Sequence, residues 1–512
     1  MRAIAALRRP FRFLIDQASR TIRRPKRIVN APKVIAILCI RWVLLRLGER
    51  IFWAYARIPA KLHWRYADTI IAAAQLIEGS SLLDENQPKA AWRAFKRCLA
   101  RSSDPFHFFM AAICLFVGMG QYQNAMALFA RANALRREKA EAHGLSKSRI
   151  RFLEPIWAGS IGHLAQTDYL IKLSILEGRS PAETIIYLPP SYKIANRFLF
   201  EQWRPYYRVI EDQENLPMSL EALNSLTFDF LAPQLADGLT VSLWKIASET
   251  YRQWCSKGRG PLLTISSEVE NRARSLLNGM GIPKDAWFVA MHVREAKSNK
   301  YHASLHDILN ADISDYMPAI KEIVRRGGWV VRMGDPAMIP LPPAANVFDY
   351  CHSKIRADWM DIFLLAKCRF LLGTSSGPAY VPGIYGAPSI LTNWWPPAQK
   401  PWHPQDIFVP KRISIGKKRI LTLAQSLEEP FGYCNSLSYL KEEENAVIKN
   451  NSPQDILGAV AEMFDRLDRT VRDNDEDIDL RDRANRIYKS FDIHGMSCVS
   501  LDFLRRNPEF LG

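Results

Sequence analysis

The sequence predicts an α/β protein of two consecutive Rossmann-like units preceded by an all-helical region. Three observations predict it. From residue 148 to about 425, short apolar runs that read as strands alternate with helical stretches across Gly-containing turns, the pattern of βαβ units and a parallel sheet. Residues 66–147 show helical patterning and small residues instead. The chain has 512 residues, 48% hydrophobic and 24% charged. That suits two to four domains of roughly 100–200 residues each and excludes a largely disordered chain.

Residues 1–65 form a basic arm. The formal charge of the chain is +17. The arm holds 16 Lys and Arg against Asp16 and Glu49, so +14 of that charge lies there and the body is close to neutral. Its longest uncharged apolar run, Val34 to Ile40, is far short of the ~20 residues a membrane span needs. Trp42 to Tyr55 mixes Leu, Trp and Phe with Arg at helical spacing, which suits an amphipathic helix on an anionic membrane surface. A tail packed on the body and an organelle transit segment share this composition. Nucleic acid is not an expected partner, because no recognition motif accompanies the charge. The expected location is cytoplasmic, peripheral to the inner face of the cell membrane.

Residues 66–147 read as helical hairpins. Ala91 and Phe95 recur as Ala125 and Phe129, an offset of 34 residues, with Asn86-Gln-Pro88 and Gly120-Gln-Tyr122 in the matching turns. Together with Gly79 and Gly120-x-Tyr122-x-x-Ala125, this resembles tetratricopeptide units. A plain helical hairpin domain is the alternative. With about two units visible, the helices are expected to pack on another part of the chain. Phe108 to Met119 is too short for a membrane span and reads as a buried helix. None of the eight cysteines forms a CxxC pair, which fits reduced thiols rather than a disulfide scaffold or zinc site.

Residues 148–285 form the first α/β unit. Strands are expected at Ile150–Pro155, Glu183–Leu188 and Tyr207–Ile210, with helices at Leu164–Leu176, Lys193–Gln202 and 267–279. Residues 286–425 form the second. Its strands are Trp287–Val293, Trp329–Met333, Asn346–Asp349, Phe370–Gly373 and Pro388–Asn393. Its helices are Tyr316–Arg326, one capped by Asp358 and running to Cys368, and one opening after Ser375-Ser-Gly-Pro378. Residues 426–512 read as a helical tail, with a charged, solvated stretch from Asp465 to Arg483.

In two successive α/β units, ligands bind outside the carboxyl ends of the strands. Three loops stand out there. His292-Val-Arg294-Glu295 closes a buried strand, and alternation puts His292 and Arg294 on one side. An Arg so fixed can meet a pyrophosphate bidentately. Gly373-Thr-Ser-Ser-Gly-Pro378 offers hydroxyls and backbone N–H groups at a helix start, an anion site unless it is an ordinary cap. Gly159-Ser-Ile-Gly-His163 allows tight backbone approach and aims His163 at the cleft. Neutral imidazole there could deprotonate a sugar hydroxyl; the alternative is a helix-start His bonded to backbone.

These residues carry a resemblance. The layout is similar to GT-B glycosyltransferases, and His292-x-Arg294 resembles the HxR motif of fucosyltransferase-like enzymes. The second basic residue of that pattern is Glu295 here, which speaks against GDP-fucose. Further motifs extend the likeness over about residues 150–425 to a group of uncharacterised bacterial glycosyltransferase-like proteins. They are Ile161-Gly-His-Leu164, Gly327-Gly-Trp-Val-Val-Arg332-Met-Gly-Asp335, Asp349-Tyr350, Asp361-Ile-Phe-Leu, Gly373 to Gly377, Gly386-Ala-Pro388 and Asn393.

The resemblance implies an acceptor site in the first unit and a nucleotide-sugar site in the second. Catalytic roles fall on His163, Arg294 and Glu295. Donor contacts fall on His292, Arg294, Arg332, Asp335, Asp349, Thr374, Ser375, Ser376 and Gly377. It implies a nucleotide sugar as substrate, a glycan or lipid-linked acceptor, hexosyl or deoxyhexosyl transfer, and no metal or other cofactor. Asp473, Asp475, Asp477 and Asp479 have DxD spacing but sit in a charge run and read as a solvated face. The competing expectation is a membrane-peripheral helical-repeat adaptor whose α/β units are inactive.

Overall fold

The computed structural model describes residues 67–235, 237–295, 307–416, 419–470 and 474–512. The basic arm, Cys39 and Asp473 therefore lie outside the described residues. Helices of seven or more residues are numbered below.

Two antiparallel helix pairs come first: α1 (Ala67–Asp84) with α2 (Pro88–Leu99), then α3 (Pro105–Ile113) with α4 (Tyr122–Ala142). Ala91 and Phe95 on α2 and Ala125 and Phe129 on α4 are all buried, so the 34-residue offset marks the second helix of each pair. Gly79 lets α1 and α2 close up: a Cβ there would stand 2.9 Å from the Phe95 ring. A π-turn, Cys114–Gly118, continues α3, and Phe109 to Met119 is largely buried, as its length implied. No helix among the described residues is long and apolar enough to cross a membrane. The pairs dock on the rest of the chain. Arg136 forms a buried ion pair with Asp229 at 2.8 Å, and Tyr122 stacks on Tyr433 with ring centroids 4.4 Å apart.

The first α/β unit has a three-stranded parallel sheet, β1 (Arg151–Leu153), β2 (Thr184–Tyr187) and β3 (Arg208–Ile210). Its helices are α5 (Ile161–Leu176), α6 (Arg197–Trp203), α7 (Leu243–Ser256) and α8 (Ser267–Gly279). Helix α5 starts where Ser160 accepts a hydrogen bond from the His163 backbone N–H.

The second unit supplies β4 (Phe288–His292), α9 (Met317–Arg325), β5 (Trp329–Arg332), β6 (Val347–Phe348), α10 (Asp358–Lys367), β7 (Leu371–Gly373), β8 (Ser389–Trp394) and β9 (Ile407–Pro410). Short strands β10 (Arg412–Ile415) and β11 (Arg419–Ile420) follow. The tail adds α11 (Leu437–Glu444), β12 (Ala446–Lys449), α12 (Pro453–Asp468), α13 (Asp475–Ser490) and β13 (Cys498–Val499).

The large sheet runs β13-β9-β8-β7-β4-β5-β6, every pair parallel. In chain order β4 to β9 lie 3-2-1-4-5-6, the doubly wound order. The order reverses between β4 and β7, and a crevice opens at such a point. Their interiors are buried on both faces, which is why they read as continuous apolar runs. One apolar core spans both α/β units, joining Trp157, Tyr169 and Trp203 to Phe288, Phe363 and Leu371.

Three expectations need correction. The tail is not purely helical: β13 pairs with β9 and β12 with β10, so it completes the second unit. Asn393, left-handed at φ 50°, accepts the Asn451 N–H at 2.7 Å and anchors that return. Asp358 does not cap α10. It is the first helical residue, and its carboxylate accepts the Arg197 N–H of the first unit at 2.6 Å. Asp477 is not on a solvated face: it is buried, helps cap α13 and pairs with Arg505 at 2.6 Å. Packing against the segment Leu501–Arg506 covers it, whereas Asp475 and Asp479 are exposed. Seven described cysteines are free; Cys255 is exposed and five others are buried.

Candidate active site

Strand register sets the site. His292 at the end of β4 lies level with Gly373 at the end of β7, so the two motif loops leave the sheet side by side at the switch point. They are tied together at once. Thr374 N–H donates to His292 O at 3.2 Å, and Arg294 N–H donates to Thr374 Oγ1 at 3.1 Å. Ser376 Oγ donates to Thr374 O at 3.1 Å and also meets His292 Nδ1 at 3.1 Å. A carbonyl only accepts, so the serine proton is spent there and His292 Nδ1 carries the proton of the second bond. Burial and the neighbouring Arg294 push the His292 imidazole down to about 4, so it is neutral at pH 7.

Arg294 is the open group. Its Nε donates to Asn310 Oδ1 at 3.3 Å, while Nη1 and Nη2 meet no acceptor among the described residues. No carboxylate among them pairs with it within 4 Å. Burial pulls this guanidinium below its usual range, with Asp307 partly opposing. The backbone N–H groups of Ser375, Ser376 and Gly377 likewise donate to no acceptor among the described residues. A guanidinium and three amides without partners among the described residues form an arrangement that favours an anion.

The Gly373–Gly377 loop binds differently from expectation. Thr374 and Ser375 are buried, and their hydroxyls accept from Arg294 N and from Trp395 N (2.8 Å). These bonds shape the loop. The helix after it is a 3₁₀ turn, Gly377–Tyr380, followed by one α-turn, Val381–Ile384. That is too short for a sizeable macrodipole, so an anion there would meet only the loop's own amides.

The first unit reaches the same place. A Cβ on Gly377 would stand 2.9 Å from Gly162 N and from the Ile161 side chain, and one on Gly162 would stand 2.9 Å from the Gly377 Cα. The start of α5 and the Gly377 loop therefore touch backbone to backbone. Gly377→Ala should force them apart and cut turnover on the order of 10²-fold, the cost of an ångström-scale misplacement. An unchanged rate in the folded variant would show that the contact does not matter.

His163 lies one residue beyond this contact. Its Nδ1 bonds Ile156 O at 2.8 Å, and its ring packs on Phe230 at 4.2 Å between centroids. Because the carbonyl accepts, Nδ1 holds the proton in the neutral ring and Nε2 keeps a free lone pair. Burial lowers its pKa, which favours that neutral form.

Four expected site residues are placed elsewhere in role. Arg332 is 1% exposed and donates to Glu295 at 2.9 Å, to Asp349 at 3.3 Å and to Ile339 O at 2.6 Å. Glu295 and Asp349 thus neutralise a buried cation, and this trio holds the β4 and β5 loops together. Asp335 is exposed and accepts from Ala337 N at 2.8 Å, closing its own turn.

Asp349, Cys351 and His352 bring three donors of metal-ligating type within 4.8 Å of one another. Here they bond one another: Cys351 Sγ and His352 Nδ1 meet the Asp349 carboxylate at 2.9 and 3.0 Å. His352 Nε2 meets Met338 O at 3.1 Å, and Arg332 sits on the same carboxylate. A cation would have to share Asp349 with that guanidinium.

Sequence reasoning missed Asn310 and Lys411. Lys411 follows the apolar strand Ile407–Pro410 as Arg294 follows β4, so the same rule of a polar residue closing an apolar strand would have found it. Asn310 lies in a loop without a motif.

No family model matches this chain, and no curated protein does. Among solved structures, a glycosyl transferase of family 9 from Veillonella parvula DSM 2008 is 12% identical, covering 63% of this chain and 98% of that one at a TM-score of 0.37. The iron-containing dodecameric glycosyltransferase TibC from enterotoxigenic E. coli H10407 is 12% identical, covering 63% and 77% at 0.33. A structure of TibC, described as a heptosyltransferase, with ADP-D-beta-D-heptose gives 12%, 63%, 77% and 0.34. At these scores the chemistry of this chain rests on its own residues.

Proposed function

We propose that this chain is a glycosyltransferase that moves a hexosyl or deoxyhexosyl group from a nucleotide sugar to a glycan or lipid-linked acceptor. The observation that carries the reading is Arg294, a largely buried guanidinium whose terminal nitrogens, like three neighbouring amides at the switch point, meet no acceptor among the described residues. Such a group suits the charge that develops on a departing nucleoside diphosphate. His163, entering from the first unit, supplies the base. The acceptor hydroxyl gives its proton to His163 Nε2, its oxygen attacks the anomeric carbon, and the bond to the diphosphate breaks toward Arg294.

The finer parts of the reading follow from the same groups. Protein cations meet the leaving charge, so transfer proceeds without a metal and survives a chelator. The two helix pairs serve as tetratricopeptide-like units that carry the GT-B-type body. The basic arm holds the enzyme on the inner face of the membrane, near a lipid-linked acceptor of polysaccharide synthesis.

The test is a panel of nucleotide sugars, read by thermal shift and by transfer or hydrolysis. A ligand at 100 times its Kd adds about 2.7 kcal/mol of stability. If no donor stabilises the protein or is consumed, the reading fails and the adaptor role stands. His163→Ala should lower turnover by roughly 10²–10⁴-fold. The pH profile checks the base. His163 acts unprotonated and its pKa is depressed, so the acid limb of the wild-type profile should have its midpoint below pH 6.5. A midpoint above pH 6.5 would rule His163 out.

A further inference from the structure

Lys411 is 3% exposed, yet no carboxylate among the described residues pairs with it. Its Nζ donates to Asn310 O at 2.8 Å and to Asn450 Oδ1 at 2.7 Å. An ammonium has three donors, and the third meets no acceptor among the described residues. Residues 296–306, between Arg294 and this loop, include Lys297 and Lys300 and no Asp or Glu. Burying a cation without a counter-charge is costly. Here burial alone pushes the amine down to about 7, so near pH 7 neutral amine and ammonium coexist, and an arriving anion would favour the ammonium with its third donor.

Position gives this cost a purpose. Lys411 directly follows β9, so it leaves the same carboxyl edge of the sheet as Arg294 and Ser376. Arg294 Nε holds the side chain of Asn310 and Lys411 holds its carbonyl, so one residue separates the two cations. Ala311 N–H, bonded to Arg294 O at 2.9 Å, fixes the loop between them.

We infer that Lys411 is a second phosphate-binding residue, placed to share a diphosphate with Arg294. This rests on the donor reading above. The partner of its third N–H is then a phosphate oxygen, and the anion supplies the missing counter-charge.

Inorganic pyrophosphate is the probe, titrated calorimetrically into the full-length protein without divalent metal. Lys411→Met should weaken binding about tenfold or more, Lys411→Arg should retain most of it, and Arg294→Ala should weaken it as well. A merely structural lysine predicts something else: Lys411→Met lowers the unfolding midpoint but binds pyrophosphate as wild type does. That result, with Arg294→Ala still defective, overturns the inference and leaves the donor reading intact. Wild-type protein that binds no pyrophosphate overturns both. If Lys411→Met does not fold, Lys411→Gln makes the same comparison.

Discussion

Replacing Arg294 by Ala should lower turnover of the donor by about 10²–10³-fold, as loss of one preorganised group at a developing anion does. The guanidinium is held in place through Asn310, so little reorganisation is needed when charge develops on the leaving group. The effect should fall mainly on kcat and not on KM, because the ground-state diphosphate also has the amides of Ser375, Ser376 and Gly377. Arg294→Lys should recover only part of the rate, since an ammonium cannot meet a diphosphate bidentately. Steady-state kinetics on the donor found in the panel measure this. A rate within a few-fold of wild type for Arg294→Ala would remove the central group of the proposed site.

Replacing Arg332 by Ala should act on stability first. This guanidinium is 1% exposed and faces Glu295 and Asp349. Its removal takes a buried cation away from two partly buried carboxylates, and breaking a buried pair costs about 3–5 kcal/mol. Chemical denaturation should report that loss as a lower midpoint at unchanged slope. The sign at low pH follows from the shifts. Asp349 lies below its usual carboxylate range, its burial outweighed by bonds from Cys351, Leu341, Arg332 and His352. It therefore contributes stability above pH 4 that is lost as the pH falls through its folded pKa. The difference between wild type and Arg332→Ala should shrink over that acid range. If Arg332→Ala kept full stability and lost only donor binding, Arg332 would be a ligand-facing residue after all.

These two arginines show how much of the site was legible. Each closes or follows an apolar strand, and each belongs to a motif that marked it as a donor contact. Local sequence treats them alike. Glu295 lies 37 residues before Arg332 and Asp349 17 residues after it, and both come beside it because β4, β5 and β6 are neighbours. Arg294 leaves the sheet at the reversal between β4 and β7, where no carboxylate among the described residues pairs with it within 4 Å. The structural bonds of the Thr374 and Ser375 hydroxyls were hidden for the same reason: their partners, Arg294 N and Trp395 N, come from other strands' loops.

The fold was more legible than the site. Apart from helix α7, which the sequence reading did not place, strand and helix positions from Ile150 to Asn393 follow it to within a few residues, because periodic burial is written locally. The short strands β9 to β13 were missed. The two-residue β13 has too little periodicity to announce itself, and β13 and β12 exist only because the tail folds back on β9 and β10.

The sequence alone determined the alternation of strands and helices, the concentration of positive charge in the first 65 residues, and which loops close apolar strands. Those properties depend on neighbours along the chain. Tertiary structure decided which polar groups are spent and which are open. Strand order brings distant residues together, and a buried polar group is either satisfied by them or left for a ligand. Among the described residues Arg332 is satisfied, whereas the terminal nitrogens of Arg294, three loop amides and the third donor of Lys411 meet no acceptor.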